Sequence, residues 1–109
     1  MVELKNEQIS IVVSETGAEL QSIKDANGKE YLWQAAPQYW PRHSPILFPI
    51  VCSVNNDTYS VDGQEYHLPR HGFARDTEFK LISQSERKVT FVLESSEETK
   101  KVYPYDFTL

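Results

Sequence analysis

One short segment, residues 68–76 with the sequence LPRHGFARD, concentrates the side chains of this chain that could do chemistry. Arg70 and Arg75 present forked sets of N–H donors that suit hydroxyl, carboxylate or phosphate oxygens. His71 has a reference pKa of about 6.5, so its imidazole can donate or accept a proton near neutrality. A proline and a glycine flank the histidine and restrict the backbone there. The segment therefore predicts a rigid loop that carries part of a small-molecule site.

The same segment, together with RHSPILFPIV at residues 42–51, resembles the aldose 1-epimerase (galactose mutarotase-like) superfamily, and most closely its LacX-like branch. Hexose-6-phosphate epimerases are more distant relatives within this resemblance. Shorter matches follow in family order along the chain: GAEL at 17–20, YLW at 31–33, DTY at 57–59 and YPYDF at 103–107. Family proteins are more than twice as long as this chain. The resemblance therefore implies that residues 1–109 form a single partial domain, the N-terminal portion of such a protein.

Short runs of apolar residues between turn residues place the chain in the all-β class. The turn dipeptides Asn27-Gly28 and Asp62-Gly63 predict two hairpins, and a serine before two glutamates at 97–98 predicts a short helix that ends before Pro104. The predicted strands are 8–14, 18–24, 30–33, 57–61, 64–68, 78–83 and 88–94, with another beginning at Phe107. We predict an antiparallel β-sandwich, which the resemblance narrows to the N-terminal part of the galactose mutarotase-like supersandwich.

The resemblance implies roles for four side chains. In mutarotases, the histidine at the position of His71 hydrogen-bonds the sugar and supports catalysis without being the principal acid. Arg42 matches a substrate-binding arginine, and Arg75 matches an arginine that helps to bind phosphate in the hexose-phosphate branch. Phe73, on the same loop, is the aromatic residue best placed to stack on a sugar ring.

Each of these four side chains also has a purely structural interpretation. His71 could simply satisfy loop carbonyl groups, and Arg42 could be a surface arginine whose stem packs on a neighbouring tryptophan. Arg75 could equally pair with a nearby carboxylate, and Phe73 could belong to the core. We expect Arg70 to be exposed to solvent. A larger set of aromatic residues (Trp33, Tyr39, Trp40 and Phe48) is expected to pack within the proline-rich loop around them.

Mutarotases interconvert anomers with a histidine that protonates the ring oxygen and a glutamate that takes the proton from the anomeric hydroxyl, without metal or cofactor. The family places that pair in the later half of the sequence, and all three histidines of this chain precede residue 72. We therefore expect the parent protein to be an isomerase acting on a hexose or hexose phosphate, and this chain to be inactive on its own. The alternatives are a non-catalytic carbohydrate-binding protein and an inactive truncated fragment.

Composition excludes several other classes of function. The net charge is −5 and the basic residues are scattered, whereas nucleic-acid binding needs a basic stripe. The longest uncharged run, residues 44–56, is too short to cross a membrane and contains two prolines. The N-terminus lacks the apolar region of a signal peptide, and a single cysteine suits a reducing compartment, so a cytoplasmic location is expected.

Metal binding and self-association can also be assessed from the residues. His67 and His71 are four residues apart, a spacing that converges only on a helix, and the proline and glycine around them prevent one. We expect no metal and no cofactor. Cys52 is predicted to be a buried thiol that behaves as a small apolar residue. Uncovered sheet edges in a partial sandwich predict a tendency to self-associate.

Overall fold

The computed structural model describes residues 1–109, and residues 2–25 form a three-stranded antiparallel sheet. The strands are β1 (Val2–Lys5), β2 (Ile9–Val13) and β3 (Leu20–Asp25), in the order β1-β2-β3. The Asn6 carboxamide oxygen accepts from the main-chain N–H groups of Gln8 and Ile9 and so closes the first turn. β2 and β3 confirm the predicted strands, whereas β1 was not predicted.

Two hairpins and a short helix complete the regular structure. β4 (Thr58–Val61) pairs with β5 (Gln64–His67), and β6 (Lys80–Gln84) pairs with β7 (Val89–Val92), as predicted from alternation and turn residues. The helix α1 (Glu97–Lys100) begins at a capping box in which the Ser96 hydroxyl accepts from the N–H of Thr99. With a single four-residue α-helix, the structure has no helical segment long and apolar enough to span a membrane.

The strand predicted at 30–33 is wrong beyond its first residue. Glu30 forms one bridge to Lys24, but its carboxylate then accepts from the N–H groups of Ile23 and Leu32 at 2.8 and 2.9 Å. A hydrogen bond from the Ser22 hydroxyl, together with these two main-chain bonds, lowers the pKa of Glu30 to about 2. The side chain thus occupies donors that a strand partner would have used. The strand predicted from Phe107 is reduced to a bridge between Glu94 and Thr108.

The apolar core is small and lies beside the histidine-containing loop. Ala74, Phe79 and Leu93 are buried, and a ring of half-buried residues packs on them: Ala18, Phe48, Phe73, Phe91 and Phe107. Only 9 of the 109 residues are buried, and the molecule measures 56 × 35 × 15 Å. The three sheets therefore enclose little interior beyond this cluster. The fold is all-β and antiparallel, as predicted, and most of its residues are at least partly exposed.

Candidate functional site

Main-chain hydrogen bonds join the proline-rich segment to the histidine loop. Phe48 and Gly72 form a parallel bridge, and the Phe48 carbonyl accepts from the N–H groups of Phe73 and Ala74 at 3.0 and 3.1 Å. Gly72 has φ +71°, and a Cβ built on it would lie 2.2 Å from the carbonyl oxygen of Phe48. Only glycine allows so close an approach of the two backbones. The two segments, 24 positions apart at this bridge, therefore form one rigid unit.

A buried carboxylate fixes the start of the proline-rich segment. Glu19 follows a glycine turn and precedes β3, and the residue is 8% exposed. One carboxylate oxygen accepts from the N–H groups of His43 and Ser44, at 3.2 and 2.8 Å, and the other accepts from the Gln21 amide. The Ser44 hydroxyl donates to the carbonyl of Leu20. Glu19 thus holds the backbone next to Arg42 in a single position.

The two segments border a cavity of about 510 Å³ that is open to solvent. This volume lies within the range of about 300–1,000 Å³ that is usual for small-molecule sites. Seven residues line it, four from the proline-rich segment and three from the histidine loop: Trp40, Ser44, Pro45, Leu47, Arg70, His71 and Arg75. One wall is therefore largely apolar and aromatic, and the other carries three side chains that can donate hydrogen bonds.

His71 is held by two reciprocal hydrogen bonds to Cys52. The main-chain N–H of His71 donates to the Cys52 carbonyl at 2.8 Å, and the Cys52 N–H donates to Nδ1 of the imidazole at 2.9 Å. Both residues have positive φ, +67° for His71 and +66° for Cys52. The imidazole is consequently fixed at the cavity wall, where its second nitrogen, Nε2, accepts a long hydrogen bond of 3.4 Å from Nε of Arg70.

The pKa of His71 lies below its ordinary value of 6.5, because partial burial disfavours the charged ring and the positive charges of Arg70 and Arg75 add to that effect. As the pH falls through 6.5, the unfolded chain takes up its proton before the folded chain does. We expect the urea midpoint of the wild type to fall as the pH is lowered from 7.5 to 5, relative to a His71→Asn variant. Parallel pH profiles for the two proteins would contradict this expectation.

Arg75 and Arg42 are connected through Asp76. Arg75 is 18% exposed; its Nη2 donates to the Arg70 carbonyl at 2.8 Å, and its buried Nε has no hydrogen-bond partner. The nearest carboxylate oxygen, Oδ2 of Asp76, lies 3.6 Å from that Nε. Arg42 donates from Nη2 to Oδ1 of Asp76 at 2.9 Å. Arg42 therefore reaches the histidine loop, but it binds Asp76 and does not line the cavity.

Two further residues lie elsewhere than their sequence-based roles suggested. Phe73 packs in the aromatic cluster, with ring centroids 6.1 Å from Phe48 and 6.0 Å from Phe107, and it does not line the cavity. The prediction of a buried Cys52 is wrong, because this residue is exposed. Its backbone turns into the left-handed region to meet His71, so the side chain projects from the loop instead of entering the core.

Sequence reasoning missed most of the cavity wall. Arg70 is solvent-exposed, as expected, yet it also lines the cavity. Trp40, Ser44 and Leu47 lie in a segment that was expected to pack on itself. Glu19 was noted only as one residue of the GAEL match to the family, with no role predicted for it. The available signal was the acidic side chain in an otherwise small and apolar GAEL segment, since a carboxylate in such surroundings needs fixed donors.

The chain thus combines short antiparallel strands with a histidine and arginines on adjoining loops. The aldose 1-epimerase family model matches residues 1–109, and the chain belongs to that family. It is 43% identical over 113 residues to the plasmid-encoded protein LacX of Lactococcus lactis subsp. lactis, an alignment that covers 99% of this chain and 38% of LacX. The chain thus spans little more than a third of the length of that relative.

Other relatives extend the likeness to solved structures. A galactose mutarotase related enzyme from Lactobacillus acidophilus superposes with a TM-score of 0.95 at 45% identity, over 98% of this chain and 36% of the enzyme. A galactose mutarotase-like protein from Lactobacillus casei ATCC 334 gives a TM-score of 0.94 at 38% identity, over 100% and 37% of the two chains. An Escherichia coli K12 protein named "Putative glucose-6-phosphate 1-epimerase" is 30% identical over 100% of this chain and 37% of its own length. Family, fold and N-terminal position within the fold all agree with the predictions from sequence.

Proposed function

We propose that the protein represented by this chain interconverts the anomers of a hexose or hexose phosphate, and that residues 1–109 supply part of its sugar-binding site. The observation that carries the proposal is the cavity, in which His71, Arg70 and Arg75 face an apolar wall containing Trp40. Sugars present hydroxyl oxygens at their edges and C–H groups on their faces. Fixed N–H donors opposite an aromatic ring suit both kinds of surface.

The charge of the cavity favours a phosphorylated hexose over a neutral one. Two guanidinium groups line it in a chain whose net charge is −5, and no carboxylate is among the lining residues. The carboxylate of Asp76 is engaged by Arg42 outside the cavity wall. Arg75 uses one donor on the Arg70 carbonyl, and its Nε is unpaired. A phosphate group could take up several of the remaining donors through charge-assisted hydrogen bonds.

In this proposal, His71 and Arg75 contact the ligand, and the proton-transferring acid and base lie outside the chain. Arg42 would contact a sugar hydroxyl only in competition with Asp76, and Phe73 would have to leave its aromatic partners to stack on the ring. Direct contact of Arg42 or Phe73 with the sugar therefore stays a prediction, and we expect substitution of either residue to change affinity less than substitution of Arg75. The chain alone is expected to bind ligand without catalysing anomer exchange. A cytoplasmic location also stays a prediction, based on the single cysteine.

Calorimetric titration of the chain with glucose, galactose and their 6-phosphates tests the proposal. We expect a 6-phosphate to bind more tightly than its parent sugar, and Arg75→Gln to weaken phosphosugar binding about tenfold or more. The reason is that a hydrogen bond to a charged group contributes about 1.5–3 kcal/mol. Arg87→Gln is the matched control, because Arg87 lies in the β6–β7 turn, outside the cavity.

The outcomes separate the alternatives. Equal loss of affinity in Arg75→Gln and Arg87→Gln would indicate a general charge effect and count against the cavity. Tight binding of inorganic phosphate alone, with no gain from the sugar, would indicate an anion site and not a sugar site. Anomer exchange followed by NMR should proceed at the uncatalysed rate in the presence of this chain. Acceleration would show that the acid and base are within residues 1–109.

A further inference from the structure

The carboxylate of Asp76 faces an arginine from each of the two segments that border the cavity. Its Oδ1 accepts a charge-assisted hydrogen bond from Nη2 of Arg42 at 2.9 Å, and its Oδ2 lies 3.6 Å from Nε of Arg75. Arg75 lines the cavity, and so do Trp40 and Ser44, which lie two residues before and two residues after Arg42. Arg42 itself is not part of the wall. The Arg42–Asp76 pair therefore lies at the border of the cavity, with the guanidinium of Arg42 held outside it.

The main chain is fixed on both sides of this pair. Asp76 ends a short 3₁₀ turn, residues 74–76, and its N–H donates to the carbonyl of Phe73 at 3.0 Å. In the proline-rich segment, the Glu19 carboxylate accepts from the N–H of the residue that follows Arg42. The side chain of Arg42, by contrast, is 32% exposed and makes no other hydrogen bond. Its place is therefore decided by the acceptor that its guanidinium finds.

An anion in the cavity would compete with Asp76 for Arg42. The side chain of Asp76 is 56% exposed, and an ion pair so accessible to water shifts an equilibrium by about fivefold at most. A contact of this strength adds little to stability, but it is enough to decide where one flexible side chain lies. If the charge of Asp76 is removed, the guanidinium of Arg42 has no carboxylate partner, and a negative group in the adjoining cavity becomes its nearest alternative.

We propose that Asp76 is a positioning residue that limits the preference of the cavity for phosphorylated over neutral sugars, because it holds Arg42 outside the wall. A phosphate group then meets two guanidinium groups, those of Arg70 and Arg75, instead of three. The sugar part of this inference rests on the function proposed above. The retention of Arg42 by Asp76 does not, because the contact is present without ligand and inorganic phosphate can report on it.

Calorimetric titration of Asp76→Asn with inorganic phosphate, glucose 6-phosphate and glucose tests the role of the carboxylate. Asparagine keeps the size of the side chain and removes its charge. We expect both phosphates to bind about fivefold more tightly than to the wild type, and the affinity for glucose to stay within about twofold. Asp62→Asn is the matched control, because it removes an exposed carboxylate between β4 and β5, outside the cavity. An equal gain in Asp62→Asn, or no gain in Asp76→Asn, would overturn the proposal.

Arg42→Gln shows whether the gain depends on Arg42. Alone, this substitution should change the affinity for inorganic phosphate by less than about twofold, because Arg42 does not line the cavity. Combined with Asp76→Asn, it should abolish the fivefold gain, a coupling that a purely structural role of Asp76 would not produce. A gain that persists without Arg42 would reject the positioning role. If the wild type binds neither sugar, while the gain for inorganic phosphate still requires Arg42, the proposed function is rejected and the role of Asp76 stands.

Discussion

Replacement of Gly72 by alanine is expected to destabilise the folded chain by about 2–5 kcal/mol and to disrupt the candidate site. Gly72 combines a φ of +71° with a position where a Cβ would lie 2.2 Å from the Phe48 carbonyl oxygen and 2.5 Å from Cδ of Pro49. A positive φ costs a non-glycine residue about 1–2 kcal/mol, and forcing two packed backbones apart adds about 1–3 kcal/mol. Separation of these backbones would also weaken the hydrogen bonds that anchor the buried Ala74.

Urea denaturation followed by tryptophan fluorescence measures this effect, and Gly28→Ala supplies the control. Gly28 has φ +82°, but no atom lies within 4 Å of the position that a Cβ would occupy, so alanine there meets the backbone penalty alone. We expect a loss of about 1 kcal/mol for Gly28→Ala, as is usual for such a backbone penalty. Equal losses in the two variants would show that the Phe48–Gly72 contact does not decide the stability of the loop.

The regular elements were predictable because their signals are local. In β7, apolar Val89 and Phe91 alternate with Thr90, and at Asp62-Gly63 two residues are enough to define a hairpin turn. The capped start of α1 is likewise contained in four consecutive residues. β1 has a comparable signal in the alternation of Val2 and Leu4 with charged residues, although it was not predicted. No tertiary information was needed for any of these elements.

The cavity depends on contacts between segments that are distant in the sequence. Arg42 and Asp76 are 34 residues apart, and the pairing of the His71 ring with Cys52 spans 19 residues. No periodicity in the sequence specifies such contacts. The resemblance to the family identified His71 and Arg75, both of which line the cavity, but it could not show that Asp76 engages Arg42. Arg70 was expected only to be exposed, although exposure and a position on a cavity wall are compatible.

The molecule is more extended than a compact domain of its length and therefore has a small core. The radius of gyration is 16.6 Å, whereas a compact domain of this length has one of about 13 Å. Several large apolar side chains are more than 40% exposed, among them Trp33, Tyr39 and Trp40. A predicted tendency to self-associate follows from this exposure and from the unpaired strand edges. It stays a prediction that sedimentation or light scattering can test.

Removal of the Glu19 carboxylate is expected to cost about 2–6 kcal/mol, because Glu19→Ala leaves the N–H groups of His43 and Ser44 without an acceptor. Each such group costs about 1–3 kcal/mol when it stays away from water. Glu19→Gln retains an oxygen that can accept from both, so its loss should be about 1 kcal/mol or less. Urea denaturation of the two variants measures the difference directly.

Glu65→Ala is the control for this prediction, because Glu65 is an exposed carboxylate on β5 and its removal should change stability by no more than about 0.5 kcal/mol. Loss of the Glu19 carboxylate should also affect the site, because the main-chain N–H of Ser44 donates to Glu19 and Ser44 lines the cavity. In Glu19→Ala the affinity for the preferred sugar should therefore fall together with stability, while Glu19→Gln keeps both. If the glutamine variant is as unstable as the alanine variant, the negative charge of Glu19, and not its acceptor geometry, holds the proline-rich segment in place.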